Sequence, residues 1–185
     1  MPNWCNNHLT ISHTDPAMID RVVKAWEKKE FLQEFIPVPQ ALIDTVAGHP
    51  TDEVKDADNQ AKYGYANWYS FRVNEWGTKW DVGYDSDYEN HPRRDGENTV
   101  FLYFDSAWSP PTSAYEKLVD MGFIIDAYYY EGGMGFYGHF FGDSTSINDD
   151  YYEFTRVADI SPEFLERFGI EDMDEPLDEA DEVQE

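Results

Sequence analysis

Twice along this chain a hydrophobic period of two gives way to a period near 3.6 and then returns. That double switch limits the folds open to it. In CNNHLTIS, Leu9 and Ile11 alternate with polar neighbours, as in a half-buried strand. After it, Ile19, Val22, Val23 and Trp26 fall at i, i+3, i+4 and i+7, one helical face. Thr14 or Asp15 is placed to cap that helix, and Pro16 suits its first position. The second switch runs from NTVFLYFDSAW, a strand apolar on both faces and so central in its sheet, into SPPTSAYEKLVDMG. There Ser109 or Thr112 caps, Tyr115, Leu118 and Val119 make the apolar face, and Gly122 stops the helix. FIIDAYYYEGG and MGFYGHFFGD return to strand as a hairpin around Gly132 and Gly133.

Between the two switches lies a helical insertion at about 37–77. FIPVP at 35–39 must be extended, because each proline disfavours helix in the residue before it. Residues 44–62 are polar and weakly patterned, which predicts a surface loop with about one helical turn. YGYANWYSFRVNEWG is helical in pattern, with Tyr65, Trp68, Phe71 or Arg72, and Trp76 on one side. Gly77 then sits where a helix C-terminal glycine belongs. In TKWDVGYD, the period-two spacing of Trp80, Val82 and Tyr84 predicts a strand, with both indoles of the Trp76–Trp80 corner packed inward. SDYENHPRRDGEN reads as a polar turn region. Without the insertion the order is βαββαβ. That order predicts an α+β, ferredoxin-like antiparallel sheet with helices on one face. A C-terminal extension, 143–169, adds a strand at YYEFTRV and a helix at DISPEFLERFG. In that helix Ser161 caps, Pro162 opens, Ile160 staples to Leu165 and Gly169 ends. Residues 1–169 read as one domain, and 170–185, with nine acids and no base, as a disordered acidic tail.

Charge bounds the function. Thirty-eight acids against 13 bases give a formal net charge of −25 over 185 residues, while aromatics at 17% supply ample bulk for a core. Such a field repels phosphate backbones and anionic membranes and attracts basic partners. No apolar run approaches the ~20 residues of a membrane helix. The single cysteine, Cys5, permits no internal disulfide and fits a reducing compartment, so a cytoplasmic location is expected. Five scattered histidines form no HxxxH and there is no CxxC, so neither a metal nor another cofactor is expected. Without a neighbouring Cys-His-Asn set, Cys5 reads as a small buried hydrophobe. GGMGFYG lacks the order of a phosphate loop, and hairpin flexibility explains its glycines. The aromatic row Tyr128, Tyr130, Tyr137 and Phe141 suits base stacking in type, but Asp126, Glu131 and Asp143 surround it where a nucleic-acid reader would carry Lys and Arg.

Four blocks in order, MPNWCNNHLTI at 1–11, NEWGTKWD at 74–81, FDSAWSPP at 104–111 and YYEGGMGFYG at 129–138, resemble the YubB-type ferredoxin-like proteins of phages and conjugative plasmids. The resemblance covers roughly residues 1–142 and implies a ferredoxin-like domain of mobile-element origin. It implies no catalytic residue and no cofactor, and 143–185 lies outside it. The leading expectation is a phage- or plasmid-encoded acidic binding protein rather than an enzyme. Its expected partner is a basic host protein whose nucleic-acid-binding surface it occupies, as a host-defence antagonist would. Asp143, Asp149, Asp150 and Glu153 are the expected partner-binding residues. The alternatives are a small-ligand binder or enzyme with a pocket at Trp76, Lys79, Trp80 and Trp108, and an accessory phage protein.

Overall fold

The computed structural model describes residues 3–46 and 53–170. Its centre is one six-stranded sheet built from β1 (Trp4–Ser12), β2 (Arg93–Asp95), β3 (Thr99–Ala107), β4 (Ile124–Glu131), β5 (Phe136–Gly142) and β6 (Ile147–Glu153). The spatial order is β2-β3-β1-β4-β5-β6, and every neighbouring pair is antiparallel. β1 and β3 are therefore interior, as their apolar content requires. β2 and β6 are the edges.

Alternation along the strands sorts side chains onto two faces. One face carries Leu9 and Ile11 from β1, Val100, Leu102 and Phe104 from β3, and Ile125 and Ala127 from β4. Against it pack α1 (Pro16–Glu27), through Ile19, Val22 and Trp26, and α6 (Thr112–Asp120), through Tyr115 and Leu118. The same core takes in α2 (Phe31–Phe35), α3 (Gln40–Ile43) and α5 (Trp68–Glu75) by way of Phe31, Leu42, Phe71 and Trp76. Asp15 is the residue that caps α1, accepting the Ala17 N–H at 2.9 Å. α6 starts at Thr112 behind Pro111 with no side-chain cap, because the Ser109 hydroxyl donates instead to the Gly77 carbonyl.

Five expectations about the fold need correction. The helices do not all lie on one face. α7 (Pro162–Phe168) packs on the opposite face, with Phe164 against Tyr128 and Tyr137 and Phe168 against His8 and Tyr130. Residues 53–63 form a three-turn helix, α4 (Glu53–Tyr63), rather than a loop. Its only buried residue is Asn59, so it has no apolar stripe for periodicity to detect, while its Glu, Lys, Gln and Ala favour helix intrinsically. TKWDVGYD is not a strand. Its backbone bonds go to the helices, with the Val82 carbonyl accepting the Phe31 N–H and the Tyr84 N–H donating to Trp26. The fourth correction is β6, which runs over 147–153 rather than starting at Tyr151; Phe154 leaves the ladder and stacks on Tyr130 at 5.6 Å. The polar turn after residue 86 holds a short strand, β2, on Arg93–Asp95. The expected disordered tail lies, from residue 171 on, outside the described residues.

Candidate functional site

Two features stand out as surfaces that a partner or ligand could use. One is an acidic edge and the other is a cavity.

The edge is β6. All seven of its residues are exposed, and among the described residues it pairs with β5 alone, leaving its outer side without a strand partner. Asp149, Asp150 and Glu153 lie on it. Because successive residues on a strand point to opposite faces, Asp149 and Asp150 project to opposite sides of the sheet. They flank the edge rather than forming a row on one face. Asp149 also has a structural task, since its carboxylate accepts the Tyr129 hydroxyl at 2.8 Å. Burial of its tip pushes the Asp149 carboxyl above the ordinary value, and Asp150 beside it adds to the rise, against the Tyr129 bond. Asp143 stands apart in the β5–β6 turn. There it accepts the Thr145 hydroxyl and the N–H groups of Thr145 and Ser146, bonds that hold its carboxyl below the usual range. Gly138 on β5 is what lets this edge close. A Cβ there would meet the Asp150 carbonyl and the Tyr129 hydroxyl, each at 2.3 Å.

The cavity, of about 550 Å³, opens on the face that α7 partly covers. Its floor is the register pair Asn6↔Asp105 and the pair His8↔Tyr103 on β1 and β3. Trp4 stands at one end and Phe168 of α7 at another. The remaining wall is the segment 81–90, tied to the fold at Asp81, Gly83 and Asn90. Asp81 accepts the N–H groups of Leu32, Gln33 and Val82, which caps α2 from a distance. Burial pushes its carboxyl up to about 6 despite those bonds. Gly83 presses so closely on the end of α1 that a Cβ would lie 2.5 Å from the Lys29 Cα. Asn90 donates to the Gly83 and Tyr103 carbonyls and accepts the Asp85 N–H, while its own carbonyl takes the Trp26 indole N–H. Burial, and then the Arg167 guanidinium, hold the His8 imidazole below its ordinary value, so it is neutral at pH 7.

The four residues expected to make a pocket are not gathered into this cavity. Trp76 is fully buried in the core, its indole N–H donating to the Ile36 carbonyl at 2.9 Å. Trp80, expected to pack inward with Trp76, is instead exposed, as is Trp108, and Lys79 lies 4.8 Å over the Trp80 ring. The Trp80 ring meets Trp4 at 5.7 Å, and Asp81 follows it in the chain, so the corner borders the cavity without lining it. The cavity residues Trp4, Asn6 and His8 escaped the sequence reading. Their signal is the alternation on β1 opposite Leu9 and Ile11, which places them together on its other face.

Other expected residues resolve simply. Cys5 is fully buried, and burial pushes its thiol well above the usual range, so it is no nucleophile at neutral pH. The tyrosines of the aromatic row lie under α7, where Arg167 sits 3.5 Å over the Tyr128 ring, and none offers a free stacking platform. Among the described residues, no group of three or more His, Cys, Asp or Glu is arranged to hold a metal ion. No described helix is long and apolar enough to cross a membrane.

No family model matches the chain, and no curated protein matches it. Among solved structures it is similar to the crystal structure of protein api92 from Yersinia pseudotuberculosis, of the family DUF1281. The identity is 12% and the TM-score 0.49, over 84% of this chain and 99% of that one.

Proposed function

We propose that this chain is an acidic protein-binding module, a phage or plasmid product of the YubB type that grips a basic surface of a host protein in the cytoplasm and blocks its access to nucleic acid. The observation that carries the reading is β6, an exposed edge strand with no described strand on its outer side, bearing Asp149, Asp150 and Glu153 in a chain of net charge −25. Charged edge strands also discourage edge-to-edge aggregation. The charge of the whole chain exceeds what that protection needs, and it extends the field that would draw a basic surface in. A rigid strand loses less entropy on binding than a free segment of the same charge. The order β2-β3-β1-β4, with α1 and α6 as the crossovers on one face, supports reading the first four strands as a ferredoxin-like unit. On that reading the β5–β6 edge and α7 are what this chain adds to it.

The test is capture of host proteins on the immobilised chain across a salt series, followed by direct titration of the protein captured. A variant with Asp149→Asn, Asp150→Lys and Glu153→Lys reverses the edge while keeping an acceptor for the Tyr129 hydroxyl. The expected outcome is steep loss of affinity with salt, marked weakening in the variant, and displacement by duplex DNA. A salt-insensitive complex that ignores the variant and the DNA would remove the reading.

A further inference from the structure

We infer that the cavity between the sheet and segment 81–90 receives a guanidinium group, the side chain of an arginine on the basic partner. The inference rests on the acidic-edge reading for the source of that arginine, and on the cavity itself for the chemistry.

Three carboxylates line the cavity, Asp81, Asp85 and Asp105, against one resident cation, Lys29. Two of the three are already engaged. Asp81 holds three backbone N–H groups, and Asp85 faces the Lys29 ammonium at 3.5 Å. Asp105 takes the side-chain amide of its register partner Asn6 and keeps further acceptor capacity at the floor. The neutral His8 supplies no second cation. The Arg167 charge reaches His8 and the Arg72 charge reaches Asp81, so the acceptor left to an incoming cation is Asp105, which has no ion-pair partner among the described residues. Residues 171–185 carry nine acids and no base, so their charge opposes their entry.

The walls select among cations. Trp4 is 47% exposed, Tyr103 38% and Tyr88 73%, and all three line the cavity. Aromatic faces beside a carboxylate suit a cation. A planar guanidinium can stack on an indole or phenol while forking onto a carboxylate, which a compact, strongly hydrated ammonium cannot do. The wall is tied to the fold at Asp81, Gly83 and Asn90, which lowers the ordering a ligand would have to impose on it. A volume of about 550 Å³ holds one long side chain with room for the adjoining backbone.

The probe is the N-acetyl methylamide of arginine, titrated into the full chain while the Trp4 indole and His8 ring signals are followed by NMR. A saturable shift at both is expected, with binding about fivefold or more weaker for the lysine counterpart and in the Asp105→Asn and Trp4→Ala variants. Far-ultraviolet circular dichroism confirms that both variants fold. Equal shifts for arginine and lysine probes, or shifts unchanged by Asp105→Asn, would overturn the inference in favour of diffuse charge attraction. The edge variant with Asp149→Asn, Asp150→Lys and Glu153→Lys separates the two readings. Probe binding retained in it supports the cavity whatever happens to partner capture, and probe binding lost in it overturns the cavity.

Discussion

Replacing Trp76 and Trp80 in turn should give opposite answers, although they lie four residues apart at one corner. Trp76 is wholly enclosed, its indole N–H bonded to the Ile36 carbonyl and its ring under the Arg72 guanidinium at 4.7 Å. Trp76→Ala deletes a buried bicyclic ring and should cost ~3–5 kcal/mol. Trp76→Phe keeps much of the bulk but leaves the Ile36 carbonyl without its donor, and should cost ~1–3 kcal/mol. Trp80 is 37% exposed and contributes a tilted contact to Trp4 and a cation–π contact to Lys79. Trp80→Ala should therefore cost about 1 kcal/mol. Urea unfolding followed by circular dichroism checks the series: the midpoint should drop by about 1–2 M for Trp76→Ala and by a fraction of that for Trp80→Ala. Equal midpoints for the two alanine variants would refute the division between core and surface. A Trp76→Phe variant as unstable as Trp76→Ala would show that the indole bond, and not the ring's bulk, dominates.

The remaining tests address the cavity wall, the covering helix and the edge. Asp81 has a folded-state pKa raised to about 6 against an ordinary carboxyl near 3.8, so the folded chain holds its proton more tightly. The stabilisation linked to that proton is full below about pH 4 and is lost as pH rises through about 6. Wild type should accordingly lose up to about 3 kcal/mol relative to Asp81→Asn between pH 4 and pH 7 by urea unfolding, and a gap that widened instead would contradict the buried placement. Phe164→Ala should loosen α7, speeding amide exchange over 162–168 while leaving β1 protected; unchanged exchange would mean that α7 is not held by this ring. Gly138→Ala drives a methyl into the Asp150 carbonyl and the Tyr129 hydroxyl. It should cost about 1–3 kcal/mol, with the loss of exchange protection concentrated in β5 and β6.

What was legible in the chain follows from where each signal is stored. Leu9 and Ile11, or Ile19, Val22 and Trp26, are read from spacing because burial on one side of a regular element imposes a period. α4 has no such face, and so 53–63 looked like a loop. The Trp80–Tyr84 stretch failed for the opposite reason. It alternates, with Val82 buried between more accessible neighbours, yet its backbone bonds run to α1 and α2, and no side-chain period reports where backbone bonds go. Only the β1 side of the cavity, Trp4, Asn6 and His8, leaves a trace in local alternation, and the cavity as a whole is beyond reach of it. It joins Trp4 and His8 to Asp105, to the segment 81–90 and to Phe168, and only the β1–β3 register and the docking of α7 bring them together. The acids of β6 lie between these cases. Once 147–153 is known to be a strand, adjacency alone puts Asp149 and Asp150 on opposite faces. A strand begun at Tyr151 hides this and leaves the carboxylates as an undirected cluster. A partner that engages both must therefore straddle the edge, so a flat basic surface laid on either face would meet only one of the two.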